Sequence, residues 1–150
     1  MKLIASNRRA RHFFNLEKTF EAGIVLIGPE VKSLRQGRAN INEAFGKVEG
    51  SEIFIYNMHV SPYTEAGRWN PTDPRRPRKL LLNRMEIKRL IGAVTQKGYT
   101  IVPTRLYFND RGYVKIEIAL ARGKKVHDRR DDLKKRAEDR DMEREFHKRD

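Results

Sequence analysis

The chain is predicted to be mainly β with helices: a small closed or nearly closed antiparallel barrel of about six strands with two or three helices, followed by a charged tail. Three observations predict this class. Short apolar runs recur between turn residues at the spacing of small all-β folds. Two intervening segments carry helical periodicity with matching start and stop residues. Beyond about Arg122, large hydrophobic residues become too sparse to build a core.

Taken in order, residues 6–12 read as about one helical turn that clusters Arg8, Arg9 and Arg11. Phe14, Leu16, Lys18 and Phe20 then share one side of an extended segment, and a second run at 22–27 continues it past a polar break at Glu21. Gly28-Pro29 opens a short helix that Gly37 closes, with proline and glycine at the ends where each is tolerated. Glu30 lies in its first turn and Lys32 and Arg35 in its last, the order the helix dipole favours. Val31 and Leu34 form an apolar stripe, and Lys32 and Arg35 share a second face that is suited to anions.

Residues 41–48 read as an irregular strand, and Glu49-Gly50-Ser51 turns the chain into a strand at 53–60. There Phe54, Tyr56, Met58 and Val60 are the expected buried face. Residues 61–78 hold four of the six prolines, show no period, and run into the basic cluster Arg75, Arg76, Arg78 and Lys79. They are expected to form a mobile loop. Asn83 and Glu86 have the spacing of a capping box, Ile87, Leu90, Ile91 and Val94 supply a helical stripe, and Gly98 ends the helix. Strands at 99–108 and 113–120 flank the hairpin sequence Asn109-Asp110-Arg111-Gly112. In the second of them Val114, Ile116, Ile118 and Leu120 face one way, and Lys115 and Glu117 the other. No internal repeat is present.

The charge divides the chain into a body, 1–121, and a tail, 122–150. The body holds 21 basic and 11 acidic side chains, and the tail 12 and 9. Val126, Leu133, Met142 and Phe146 are the tail's only large hydrophobic residues, too few to offset the entropy of ordering. The tail is therefore expected to be disordered alone and helical against a partner.

A net charge of +13 argues for a polyanionic partner, because each cation that meets a phosphate releases a counterion. With no cysteine, disulfides and thiolate zinc sites are excluded and a cytosolic setting is favoured. No run approaches membrane-spanning length, and the N-terminus lacks a signal peptide's apolar core, so no membrane partner is expected. His12, His59, His127 and His147 have no metal-binding spacing, and no phosphate loop or catalytic triad order stands out. Neither a metal, another cofactor nor a catalytic residue is assigned. The competing classes are a general RNA-binding barrel and a metal-dependent nuclease.

The stretches NRRARHFF at 7–14, TFEAGIVL at 19–26, EVKSLRQGRANI at 30–41, RPRKLLLN at 76–83 and GKKVHDRRD at 123–131 go further. In this order the chain resembles the small protein B family, the tmRNA-binding (SsrA-binding) proteins of bacterial trans-translation. The resemblance implies an oligonucleotide-binding-type β-barrel that binds the tRNA-like domain of tmRNA. It also implies delivery of tmRNA to stalled ribosomes, with the tail reaching the decoding centre and mRNA channel as a helix. By the same resemblance, Glu21, Leu81 and Lys115 affect tmRNA binding. Asn7, Arg11, His12, Lys32 and Arg35 lie on the RNA-facing side, and Lys124 and Lys125 form a basic hinge. His127, Asp128, Arg129 and Arg130 begin the ribosome-binding tail. Glu21 has two open roles: accepting hydrogen bonds from base or ribose donors, or holding an arginine such as Arg35. Leu81 by its type alone belongs in a core, and His12 is open between base stacking and a plain surface imidazole. The chain departs from the family pattern at Asn70-Pro71-Thr72-Asp73-Pro74, and at Phe146, which is flanked by Glu145 and His147.

Overall fold

A computed structural model describes residues 1–63 and 73–124. The strands are β1 (Lys2–Ser6), β2 (Phe14–Ile24), β3 (Ala39–Asn40), β4 (Phe45–Glu49), β5 (Glu52–Tyr56), β6 (His59–Val60), β7 (Arg78–Leu81), β8 (Thr100–Phe108) and β9 (Val114–Gly123). The helices are α1 (Ala10–Phe13), α2 (Gly28–Arg35) and α3 (Arg84–Lys97). Antiparallel pairing runs β8-β4-β5-β7-β2-β9 and returns to β8, so six strands close a ring. β1 adds to β8 outside the ring, and β3 and β6 form a separate pair. Gly46 opposite Ile101 is the register point that joins β4 to β8. A Cβ at Gly46 would stand 2.5 Å from Ile101 Cγ2, so the seam closes only because glycine is there.

The interior is a single apolar cluster that includes Ala22, Leu34, Ile53, Ile55, Leu80, Leu90, Leu106, Ile116 and Ile118. A smaller cluster lies on the outer face of the sheet, where Ala10 of α1 packs on Val102, Ala119 and Ala121. The small residues on β9 thus admit a helix at that end.

The local expectations hold for both longer helices. Asn83 accepts from the Glu86 N–H at 2.9 Å while Glu86 accepts from the Asn83 N–H at 3.2 Å, and Gly98 ends α3 at φ 70°. Gly37 follows α2 at φ 71°. Four expectations need correction. The helical turn read at 6–12 begins only at Ala10, because residues 2–6 form a strand on the open edge of β8. β2 runs unbroken through Glu21, whose side chain simply faces outward.

The third correction concerns 41–60. Residues 41–44 make a turn, and β4 begins only at Phe45. In β5 the buried residues are Ile53 and Ile55, not Phe54 and Tyr56, whereas Met58 and Val60 are buried as expected. Asn57, with φ at 59°, breaks the extended backbone between β5 and β6 and shifts the alternation by one residue. Fourth, the described end of the proline-rich stretch is ordered. Arg78 begins β7 and is fully buried, for a reason given below. At the other end β9 continues to Gly123, and the Lys124 N–H donates to the Phe13 carbonyl at 2.9 Å.

Candidate nucleic-acid interface

Register alone assembles one outward face. Leu81 of β7 lies opposite Gly23 of β2, Gly23 opposite Lys115 of β9, Lys115 opposite Tyr107 of β8, and Tyr107 opposite Leu3 of β1. The adjacent row is Glu21, Glu117 and Arg105. Glu21, Leu81 and Lys115, far apart in sequence, therefore come together on three neighbouring strands. Leu81 is 51% exposed, so it is a surface leucine and not core. Gly23 lets it lie against the sheet: a Cβ there would meet Leu81 Cβ at 3.2 Å.

The Glu21 carboxylate takes the Tyr107 hydroxyl and, among the described residues, no arginine. Because β9 separates those two strands, the Tyr107 side chain must cross over β9, and it is itself buried. Burial first, and then the Glu21 carboxylate, push the phenol up to about 12. Arg105 pairs with Glu117 and lies 5.6 Å from the Tyr107 ring centre. Lys115 stands beside this network. The face combines an exposed apolar spot, a carboxylate oxygen left over from the tyrosine bond, and fixed cations. Such a set can contact bases, ribose hydroxyls and phosphates together.

α1 continues the same sheet face. Asn7 organises it: Nδ2 donates to the Pro103 carbonyl at 2.8 Å, and Oδ1 accepts from the Arg9 and Ala10 N–H groups at 3.2 and 3.1 Å. Asn7 thus spends its side chain on positioning, while Arg11 is exposed. His12 is half-buried, meets Phe13 edge-on at 4.7 Å, and keeps a buried Nδ1 without a hydrogen-bond partner among the described residues.

α2 presents Lys32 and Arg35 toward solvent, with Lys32 5.4 Å from the Tyr63 ring centre. Its opposite side is tied down. Leu34 is buried, and Ser33 Oγ donates to the Ser61 carbonyl at 2.7 Å. Glu30, also buried, accepts from Arg78 Nε at 2.7 Å, from Arg76 Nε at 3.2 Å and from the Ile27 N–H at 3.0 Å. Arg78 also donates to the Met58 and Pro74 carbonyls at 2.7 and 3.1 Å. Burial pushes the Glu30 carboxyl up, but the Arg76 bond, the Ile27 N–H and Arg78 together outweigh it and hold the group below the ordinary carboxylate range. Two members of the basic cluster at 75–79 are therefore committed to the fold. Their charge gives no hint of this, because Glu30 lies more than 40 residues upstream.

Lys124 is half-buried where β9 passes α1. Lys125, His127, Asp128, Arg129 and Arg130 lie outside the described residues. Sequence reasoning misses Tyr107, Arg105 and Glu117 as members of the site. The hairpin at 109–112 carries a signal that finds Tyr107, since counting back from it pairs Tyr107 with Lys115. Among the described residues no group of three or more histidine, cysteine or acidic side chains is placed to hold a metal, and no helix is long and apolar enough to cross a membrane.

Comparison with known proteins gives a consistent result. The family model described as SmpB protein matches residues 4–148. The SsrA-binding protein of Thermoanaerobacter pseudethanolicus is 52% identical over 97% of this chain and 92% of its own length. The SsrA-binding protein of Moorella thermoacetica is 48% identical over 99% and 96%. A solved structure described as "tmRNA-SmpB: a journey to the center of the bacterial ribosome" superposes with a TM-score of 0.68 at 49% identity. It covers 81% of this chain and 85% of that one.

Proposed function

The chain belongs to the SmpB family, and from that membership we propose that it binds the tRNA-like domain of tmRNA and delivers it to stalled ribosomes for trans-translation, so that incomplete polypeptides are tagged. The observation that carries the reading is the single exposed face where Leu81, Lys115 and Glu21 meet. The protein acts by binding, without enzymatic chemistry, and works in the cytoplasm beside ribosomes. Leu81 supplies apolar contact, Lys115 neutralises phosphate, and the buried Tyr107 holds the Glu21 carboxylate. The free Glu21 oxygen accepts a base or ribose donor. Arg11, His12, Lys32 and Arg35 extend the contact along the phosphate backbone, with Asn7 holding α1 in place.

The segment beyond Gly123, where β9 ends, serves as the ribosome-reaching tail, disordered alone and helical in the decoding centre and mRNA channel. Lys124 and Lys125 form its hinge, and His127, Asp128, Arg129 and Arg130 its first ribosomal contacts. The scarcity of apolar residues and the tie between Lys124 and Phe13 at the end of β9 support this division.

The test is a titration of the full-length protein against the tRNA-like domain at two salt concentrations, with ordinary tRNA as competitor. Binding that survives the competitor and weakens with salt is expected. Replacing Lys32 and Arg35 by Ala should lower the salt slope by about 0.7–0.9 for each phosphate that is no longer neutralised. Equal competition by tRNA would refute tmRNA specificity. Removal of residues 128–150 should leave this binding intact and abolish tagging; persistent tagging would refute the tail's role.

A further inference from the structure

At the end of the ring where β8 begins, a groove of about 440 Å³ separates α3 from β2 and β9. Phe20, Ala93 and Leu120 of the core form its floor, and Lys18, Lys88, Arg89 and Lys97 rim it. Local sequence builds it. Lys88, Gly92 and Gln96 recur every four residues, and so do Arg89, Ala93 and Lys97 one step round. A single stripe of α3 thus carries cations at both ends, about 14 Å apart along the axis, with Gly92 between them. The far wall is fixed. The Arg122 guanidinium lies 4.3 Å from the Tyr99 ring centre and donates to the Lys97 carbonyl at 3.4 Å, while the Tyr99 hydroxyl donates to Glu17. Glu17, the only carboxylate in the lining among the described residues, is thereby engaged.

The groove is separate from the surfaces already described. α1 packs on the outer side of the sheet, against Ala119 and Ala121, whereas Phe20 and Leu120 belong to the interior cluster. On β9, Arg122 lies about 23 Å from Lys115 at 3.3–3.4 Å per residue, so the groove faces a different stretch of partner from the Leu81–Lys115 face.

Two observations point to that partner. Lys18, Lys88, Arg89 and Lys97 are all exposed, and none makes an ion pair among the described residues. Four uncompensated cations around one hollow concentrate the positive potential that draws in a polyanion. The second observation is Gly92. Glycine inside a helix weakens it relative to alanine. A Cβ there would meet nothing within 4 Å, so no neighbour in the fold requires glycine. What it provides is room for a backbone from outside to come close to the helix between the cations. The floor residues are each 8% exposed or less, far short of the roughly 800 Å² per partner of a protein interface, whereas phosphate contacts need only the cations.

We propose that this groove is a second RNA site, in which the phosphate backbone of a further RNA segment passes over Gly92 and is held by Lys88, Arg89 and Lys97. The inference rests on the RNA-binding reading above and extends it from one contact surface to two, at opposite ends of the β8–β9 ladder.

The test uses the full-length protein and two variants. Lys88→Ala combined with Arg89→Ala removes two exposed cations. Gly92→Gln fills the groove at unchanged charge and, glutamine being the better helix former, should not lower Tm. Each is titrated against the isolated tRNA-like domain and against ribosomes free of tmRNA. With at least one of the two, Gly92→Gln should bind about tenfold more weakly, and the double variant should lower the salt slope by about 1.4–1.8, two phosphates at about 0.7–0.9 each. Loss with the tRNA-like domain assigns the segment to tmRNA, and loss only with ribosomes assigns it to ribosomal RNA. A photo-crosslinking residue in place of the exposed Gln96 should capture RNA in the same complex. Capture of protein alone, or unchanged affinity of both variants beside tight wild-type binding, would overturn this inference and leave the proposed function standing. Failure of the wild type to bind the tRNA-like domain would overturn the proposed function itself.

Discussion

Glu30→Gln is the sharpest perturbation of this fold. The glutamine keeps the shape and an oxygen for the Ile27 N–H, but it removes the negative charge between two arginines. Arg78 is fully buried and cannot turn to water. Removing one partner of such a pair strands the other charge, at about 3–5 kcal/mol. For a body of this size that corresponds to a fall of about 10–20 °C in Tm. Calorimetry or far-UV circular dichroism of the full-length protein reads it directly. Replacing both partners, Glu30→Gln with Arg78→Met, should recover part of the loss, because no buried charge is then left uncompensated. The pH dependence has a fixed sign. The folded Glu30 carboxyl titrates below its unfolded value of about 4.3, so its contribution is complete above that value and lost as pH falls through the lower folded one. The gap between wild type and Glu30→Gln should shrink below about pH 4. A Tm drop under about 4 °C, or additive single and double variants, would refute the burial argument.

Three other outcomes follow from the same geometry. Tyr107 should ionise near 12 in an ultraviolet titration, a component that disappears in Tyr107→Phe and moves toward 10 in Glu21→Gln. Since its folded value is raised, the stability it lends is present below about 10 and lost as pH rises through the folded value; an unshifted phenol would contradict the Glu21 bond. Gly46→Ala should cost about 1–3 kcal/mol, because the new methyl meets Ile101 at 2.5 Å, and hydrogen exchange at Ile101 should quicken as the seam loosens. Leu81→Ala should change stability by less than about 1 kcal/mol while weakening RNA binding, since that side chain is half exposed; a large Tm loss with full affinity would return Leu81 to the core.

Much of this was legible along the chain wherever the deciding interaction is local. The α3 capping box spans three residues, Gly37 and Gly98 end their helices by their own backbone freedom, and the hairpin at 109–112 sets the β8–β9 register by its length. The two interior faces of β9 and α3 followed from period, with Ile116, Ile118 and Leu90 buried as expected. The family resemblance rested on short linear stretches and was equally available before any coordinates.

What tertiary structure alone decided concerns partners distant in sequence. β1 and β7 are short, with patterns too weak to mark them, and exist because β8, β5 and β2 offer edges. Asn57 flips the pleat through one backbone angle that no hydrophobic pattern encodes. Arg78 carries the same charge as its exposed neighbour Arg75, yet Glu30, 48 residues away, makes one of them core and leaves the other surface. Leu81 is the converse, a leucine kept outside because its strand pairs Leu80 inward with Ile24. A residue's type states what it prefers to bury, but which preference is met depends on a register set across the ring, and that register is a property of the closed sheet.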